Sequence, residues 1–237
     1  MTNNLSASDP VGMSFWLISM AMVAATVFFL IERDRVSGKW KTSLTVAGLV
    51  TLIAAVHYFY MRDVWVATGE TPTVYRYIDW LLTVPLLIIE FYLILSAITK
   101  VPAGVFWRLL AGSLIMLIAG FIGEVNETYR VSGFIVGMLG WVWIMQEIFY
   151  GEASKINAAS GNAIAQKAYS AMRLLVTVGW AIYPIGYFVG YFMEGADSGA
   201  LNLIYNIADF WNKIAFGLVI WAAAVADSED KDKTAKA

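Results

Sequence analysis

Two charged residues stand one helical turn apart in a stretch that should hold neither. Lys213 sits near the middle of the apolar run 201–225, four residues after Asp209. Residues four apart on a helix share a face, and a charge at the centre of a membrane helix costs about 2.5–3.5 kcal/mol on insertion scales. Two chemistries account for such a pair. It is a structural ion pair joining helices, or the amine is joined to an aldehyde ligand as a Schiff base with the aspartate as its counter-ion.

A second apolar run carries Arg76, Asp79, Thr83 and Glu90. Steps of three and four place Arg76, Asp79 and Thr83 on one face. Glu90 lies eleven residues past Asp79, about three turns and roughly 16 Å along the same face. Two carboxylates stacked at different depths suit a proton relay with an acceptor and a donor. The plainer alternative pairs Arg76 with Asp79 and lets Glu90 reach the interface, a long reach from about 12 Å inside the helix. His57, on the preceding run and at a depth matching Asp79, is placed to hydrogen-bond it and couple the two titrations. A lone histidine near a helix end is otherwise an ordinary interfacial group. Trp80 follows Asp79, and Trp180, Tyr183 and Tyr187 mark one face around Pro184. Flat rings at membrane depth can wall a pocket for a rigid apolar ligand.

The elements that must position these groups are legible in the composition. The 237 residues are 59% hydrophobic and 14% charged, which excludes an ordinary soluble domain and indicates one polytopic membrane domain over 1–237. A polar N-terminal stretch of about ten residues precedes it, and a charged tail from 227 ends it. Net charge of −2 gives no sign of a nucleic-acid partner. With no cysteine and one histidine, neither thiolate chemistry nor a protein-ligated transition metal is expected. The residues before Pro10 carry no Lys or Arg and so lack the basic start of a signal peptide.

Hydropathy divides the chain into seven spans near 11–31, 42–61, 74–98, 103–122, 131–150, 170–193 and 201–225. Runs of that length in a bilayer are helices, so the fold class is all-α, a seven-helix bundle. Pro10, Pro72 and Pro102 stand where helices begin, and Pro85 and Pro184 fall inside spans, where kinks are expected. Twelve basic residues flank one side of the bundle, among them Arg33, Arg35, Lys39, Lys41, Lys155 and Lys167. Arg62 and Arg130 flank the other, with Arg76 just inside it. The positive-inside rule then puts the N-terminus outside and the C-terminus in the cytoplasm.

The motifs are specific enough to identify a family. Arg76-Tyr-Ile-Asp-Trp-Leu-Leu-Thr-Val-Pro-Leu in the third span, Trp180-Ala-Ile-Tyr-Pro in the sixth and Asp209-Phe-Trp-Asn-Lys213 in the seventh resemble the microbial rhodopsins. Within them the chain is most similar to the green-absorbing proteorhodopsins, over essentially its whole length. The resemblance implies all-trans retinal bound covalently to Lys213, with Asp79 and Asp209 as counter-ions and Arg76 beneath them. It implies that Asp79 is the primary proton acceptor and Glu90 the cytoplasmic donor, where bacteriorhodopsin has Asp. It places Trp80, Leu87, Met116, Trp141, Trp180, Tyr183 and Tyr187 around the chromophore, with Leu87 at the colour-tuning position.

The function so implied is a light-driven outward proton pump in a bacterial inner membrane, a transporter and not an enzyme. Protons and lipid would be its partners, with no soluble substrate, and a ring of five or six copies its assembly. Trp16 and the Glu32-Arg33-Asp34 turn are candidate interface residues, or headgroup anchors. A photosensor of the same fold is the alternative, though such sensors usually lack a carboxylate at Glu90's place. The pair of outer glutamates that resembles a proton-release group in bacteriorhodopsin is not evident here. Glu194 and Asp197 lie near that end without a match to the role.

Overall fold

The computed structural model describes residues 5–195 and 197–236, and the regular elements in them are all helical. The opening residues of the polar N-terminal stretch and Ala237 of the charged tail lie outside the described residues. Among the described residues, seven spans are long and apolar enough to cross a bilayer. The first five are α1 (Pro10–Glu32), α2 (Trp40–Thr68), α3 (Thr73–Ile98), α4 (Ala103–Val125) and α5 (Arg130–Phe149). A short helix, α6 (Glu152–Ala159), precedes the sixth span, which is α7 (Ala163–Leu174), a π-turn (Leu175–Gly179) and α8 (Trp180–Phe192). The seventh is α9 (Ser198–Asp209), a second π-turn (Phe210–Ala215) and α10 (Phe216–Lys236).

Consecutive spans pack as neighbours from α1 through α5, and α9 closes against α1 and α8. The bundle inverts the soluble pattern. Leu17, Ile31, Leu139 and Trp211 are exposed, as lipid-facing residues should be, while Arg76, Asp79, Glu90, Asp209 and Lys213 are buried.

Local chemistry explains where the helices start and stop. Pro10 is the first residue of α1, and the Asp9 carboxylate caps it by accepting from the Gly12 N–H at 2.9 Å. Pro72 and Pro102 immediately precede α3 and α4. Pro85 and Pro184 are accommodated inside α3 and α8.

Three expected boundaries move. The second span does not end at Met61 but continues to Thr68. Arg62 and Asp63 satisfy each other at 2.7 Å, the Arg62 guanidinium lies 5.4 Å over the Trp16 ring, and only Gly69, at φ 70°, turns the chain. The expected connection 151–169 holds α6 and the start of α7, capped by Asn162, because Ala153, Ala165 and Tyr169 are buried. The last helix continues past Val225 to Lys236, with Asp227 and Lys231 paired one turn apart at 2.7 Å.

The two π-turns carry no sequence signature. Each leaves the ordinary i→i−4 ladder, and side chains take up carbonyls of the first one. Trp141 Nε1 donates to the Val176 carbonyl at 3.2 Å, and Asn212 Nδ2 to that of Gly179 at 3.0 Å. A Cβ at Gly179 would stand 2.0 Å from Asn212 Oδ1, so only glycine admits this contact. A similar close approach joins α4 and α5. A Cβ at Gly140 would stand 2.7 Å from the Met116 backbone nitrogen, and the missing side chain brings Met116 against the interior.

Candidate functional site

The seventh span and α3 bring the predicted charges together. Lys213 Nζ donates to Asp79 Oδ2 and, at 3.1 Å, to Asp209 Oδ2. Although a π-turn begins just after Asp209, the four-residue spacing still delivers both groups to one point. The two carboxylates differ in what else holds them. Asp209 also accepts from Tyr58 Oη at 2.8 Å, Tyr183 Oη at 2.6 Å and Trp80 Nε1 at 3.4 Å. Asp79 has no other donor among the described residues, and its Oδ1 is buried without a partner. An incoming proton therefore has a vacant lone pair at Asp79, whereas at Asp209 it must displace a donor.

His57 stands beside the vacant oxygen without bonding it. Its Nδ1 is 3.9 Å from Asp79 Oδ1 and 2.9 Å from the Ile53 carbonyl one turn back. The expected direct hydrogen bond is therefore not made in this arrangement, because the ring satisfies itself on its own helix. The Thr83 hydroxyl likewise donates to the Asp79 backbone carbonyl at 3.0 Å, and not to the carboxylate.

Arg76 is fully buried and makes no ion pair within 4.0 Å among the described residues, so the Arg76–Asp79 pairing is not formed. Its guanidinium donates to Tyr58 Oη at 3.1 Å, Asn202 Oδ1 at 3.0 Å and Asn206 Oδ1 at 2.5 Å. The Phe15, Tyr58 and Tyr205 rings lie 5.1 to 5.7 Å from it. Sequence reasoning missed Tyr58, Asn202, Tyr205 and Asn206. The signal was present for the last three: with Asp209 and Lys213 they recur at helical spacing along one face of the seventh span.

Lys213 opens into a cavity of about 350 Å³. Its walls include Trp80, Leu87, Met116, Trp141, Trp180, Tyr183 and Tyr187, so every pocket residue expected from sequence lines it. Trp80 meets Tyr183 edge-on at 5.0 Å between centroids. Asn212 holds Tyr183 Oη at 3.2 Å as well as the Gly179 carbonyl, joining the two π-turns at the pocket head. An amine clamped between carboxylates at one end of a mostly apolar, aromatic slot suits a long rigid ligand linked at that nitrogen.

Glu90 lies apart from this network. It is 1% exposed, and neither carboxyl oxygen has a hydrogen-bond partner among the described residues. It does not reach the interface. Ser43 of α2, also buried, has an unpartnered hydroxyl too. Glu194 is exposed, and Asp197 caps α9 through the Gly199 and Ala200 N–H groups.

Comparison with known proteins agrees with this arrangement. Residues 9–226 match the model of the family described as bacteriorhodopsin-like protein. The chain is 57% identical over 229 residues to the blue-light absorbing proteorhodopsin of gamma-proteobacterium Hot 75m4, covering 96% of this chain and 91% of that protein. It is equally identical, with the same coverage, to the green-light absorbing proteorhodopsin of gamma-proteobacterium EBAC31A08. The crystal structure of blue light-absorbing proteorhodopsin from Med12 superimposes with a TM-score of 0.80 at 57% identity, over 92% of this chain and 100% of that one. Xanthorhodopsin, described as a light-driven ion pump with dual chromophore, does so with a TM-score of 0.81 at 30% identity, covering 94% of each. The chain belongs to the bacteriorhodopsin-like family of multi-pass membrane proteins.

Proposed function

We propose that the protein is a light-driven proton pump that moves protons from the cytoplasm to the outside of a bacterial inner membrane. The observation that carries the reading is the placement of three groups. Lys213 is clamped by Asp79 and Asp209 at the head of an aromatic cavity, while Glu90 stands buried and unpartnered further along α3.

The residues present fit retinal. The cavity is apolar along its walls, ends at a primary amine, and offers two carboxylates to balance a positive charge there. Retinal joined to Lys213 Nζ would supply absorption of visible light and a light-driven change of shape beside those carboxylates. The protein's own groups do the rest. Asp209, held by Tyr58, Tyr183 and Trp80, keeps its charge and balances the cation. Asp79 accepts the proton leaving the Lys213 nitrogen, because its Oδ1 is vacant. Arg76 fixes Tyr58, Asn202 and Asn206 in position beneath the pair. Glu90 holds a proton in the dark, since an unpaired carboxylate in so dry a place costs several kcal/mol, and returns it to the Lys213 nitrogen. Transport is one-way because access to that nitrogen switches between the two transfers, from the Asp79 side to the Glu90 side.

The direction rests on the excess of basic residues on the side where α10 ends, which puts Glu90 nearer the cytoplasm and Arg76 nearer the outside. The family resemblance extends the reading to a ring of five or six copies. Trp16, exposed on α1, is available to such an interface.

Illuminating unbuffered cells that express the protein with retinal, while recording external pH, tests this reading. Acidification in the light that an uncoupler abolishes is expected. Alkalinisation, or no change in the light, would contradict it.

A further inference from the structure

The scheme above moves a proton as far as Asp79 and leaves its way out unassigned. A second carboxyl is held by Tyr191, which lines the same cavity. Glu124, in the last turn of α4, accepts from Tyr191 Oη at 2.5 Å. Its other oxygen, Oε2, is buried without a partner among the described residues. The Arg130 guanidinium lies 4.4 Å over the Tyr191 ring and reaches the exposed Glu127 at 3.3 Å, where the protein meets water.

A row of hydroxyls leads there from the charged cluster. Tyr183, Tyr187 and Tyr191 follow one another at four-residue steps along α8, each about one 5.4 Å turn beyond the last. The first donates to Asp209 at 2.6 Å and the last to Glu124 at 2.5 Å. The middle hydroxyl, Tyr187 Oη, is buried and unpartnered among the described residues. All three line the one cavity. Structural packing needs three rings on this face. It does not need their hydroxyls, two of which end on carboxylates belonging to different helices.

We propose, on the footing of the pump reading, that Glu124 is the exit carboxyl for the transported proton. The Asp79 O–H bond breaks and its proton crosses on a bridging water to the Tyr183 hydroxyl, which stands on the neighbouring Asp209. It then passes along the tyrosine row, each hydroxyl giving one proton forward and taking one from behind, with single waters bridging the steps. The Glu124 carboxylate gains it from Tyr191, forming an O–H bond at Oε1, the oxygen that hydroxyl already reaches. That bond then breaks, and the proton goes to outer water past Arg130 and Glu127.

Flash excitation of the retinal-loaded protein in lipid, read by visible absorbance and by a pH-indicator dye in the outer medium, tests this. In Glu124→Gln the transfer to Asp79 should keep its wild-type rate, while proton release to the medium slows tenfold or more. Glu124→Asp should recover part of that loss. Tyr191→Phe, which removes one hydroxyl and keeps the ring, should slow release severalfold and serves if Glu124→Gln does not fold. Release within twofold of wild type in Glu124→Gln, or in Tyr191→Phe where that variant stands in, would overturn the assignment. So would equal slowing of both steps, which marks a structural role. No light-driven release from the wild type would instead refute the pump reading on which the proposal stands.

Discussion

Asp79 and Glu90 are carboxyls on the same helix, three turns apart, and the molecule treats them oppositely. Around Asp79 the interior is crowded with polar groups: Lys213, Asp209, Tyr58, Arg76, Asn202 and Asn206 are joined by hydrogen bonds of 3.1 Å or less. Glu90 instead has no ion pair or hydrogen bond among the described residues, and its stretch of α3 is apolar, with Ile88, Phe91 and Ile94 buried in the core cluster. The first region is built to hold charges in fixed places, and the second to make a charge expensive. A relay needs both, since the proton must leave a nitrogen toward a site that tolerates an anion and return from a site that does not.

The contrast can be broken at its strongest point by removing the cation. Lys213→Ala, purified with added retinal, is expected to show no red-shifted visible band, because the attachment nitrogen is gone. An ordinary band in that variant would remove Lys213 from the site. Asp79→Asn should act next most strongly. Without the carboxylate the absorption moves to the red, and transfer from the Lys213 nitrogen slows by roughly 10² or more, the lower bound for loss of a positioned proton acceptor. Acid should produce the same red shift in the wild type by protonating that group, and a spectrum indifferent to acid would count against it.

Smaller changes sharpen the contrast. His57, 3.9 Å from the vacant Asp79 oxygen, is close enough to act on the charge of that carboxyl, so replacing it by Asn should displace the pH midpoint of the acid colour transition. An unmoved midpoint would leave His57 with only its bond to Ile53. Leu87→Gln, which places an amide on the cavity wall, should shift absorption modestly to the blue with the photochemical steps intact. A red shift would show that the wall acts on the chromophore differently from the family resemblance.

The seven spans were legible because a bilayer demands long apolar runs, and Lys213, Asp79 and Glu90 stood out as candidates because charges are conspicuous against them. Helix ends were less legible. Polarity at Arg62 suggested a loop, but a salt-bridged Arg–Asp pair does not break a helix, and α2 continued to the glycine that does. The π-turns depend on which side chains arrive from other helices, Trp141 and Asn212 here, and no local pattern announces that. The unequal support of the two aspartates was hidden for the same reason. Tyr58 and Tyr183 read as two aromatics among many until the fold brings both hydroxyls to Asp209.

The claim that Glu90 is a neutral proton store, set apart from the charged cluster, is tested most directly by flash photolysis of wild type and Glu90→Gln at one pH. The dark spectrum and the transfer to Asp79 should be almost unchanged, because Glu90 contacts neither Lys213 nor Asp79. Reprotonation of the Lys213 nitrogen should slow by roughly 10² or more, and azide, a small mobile weak acid, should restore part of the rate. Equal reprotonation rates in the two proteins would contradict the account and turn the reading toward a photosensor.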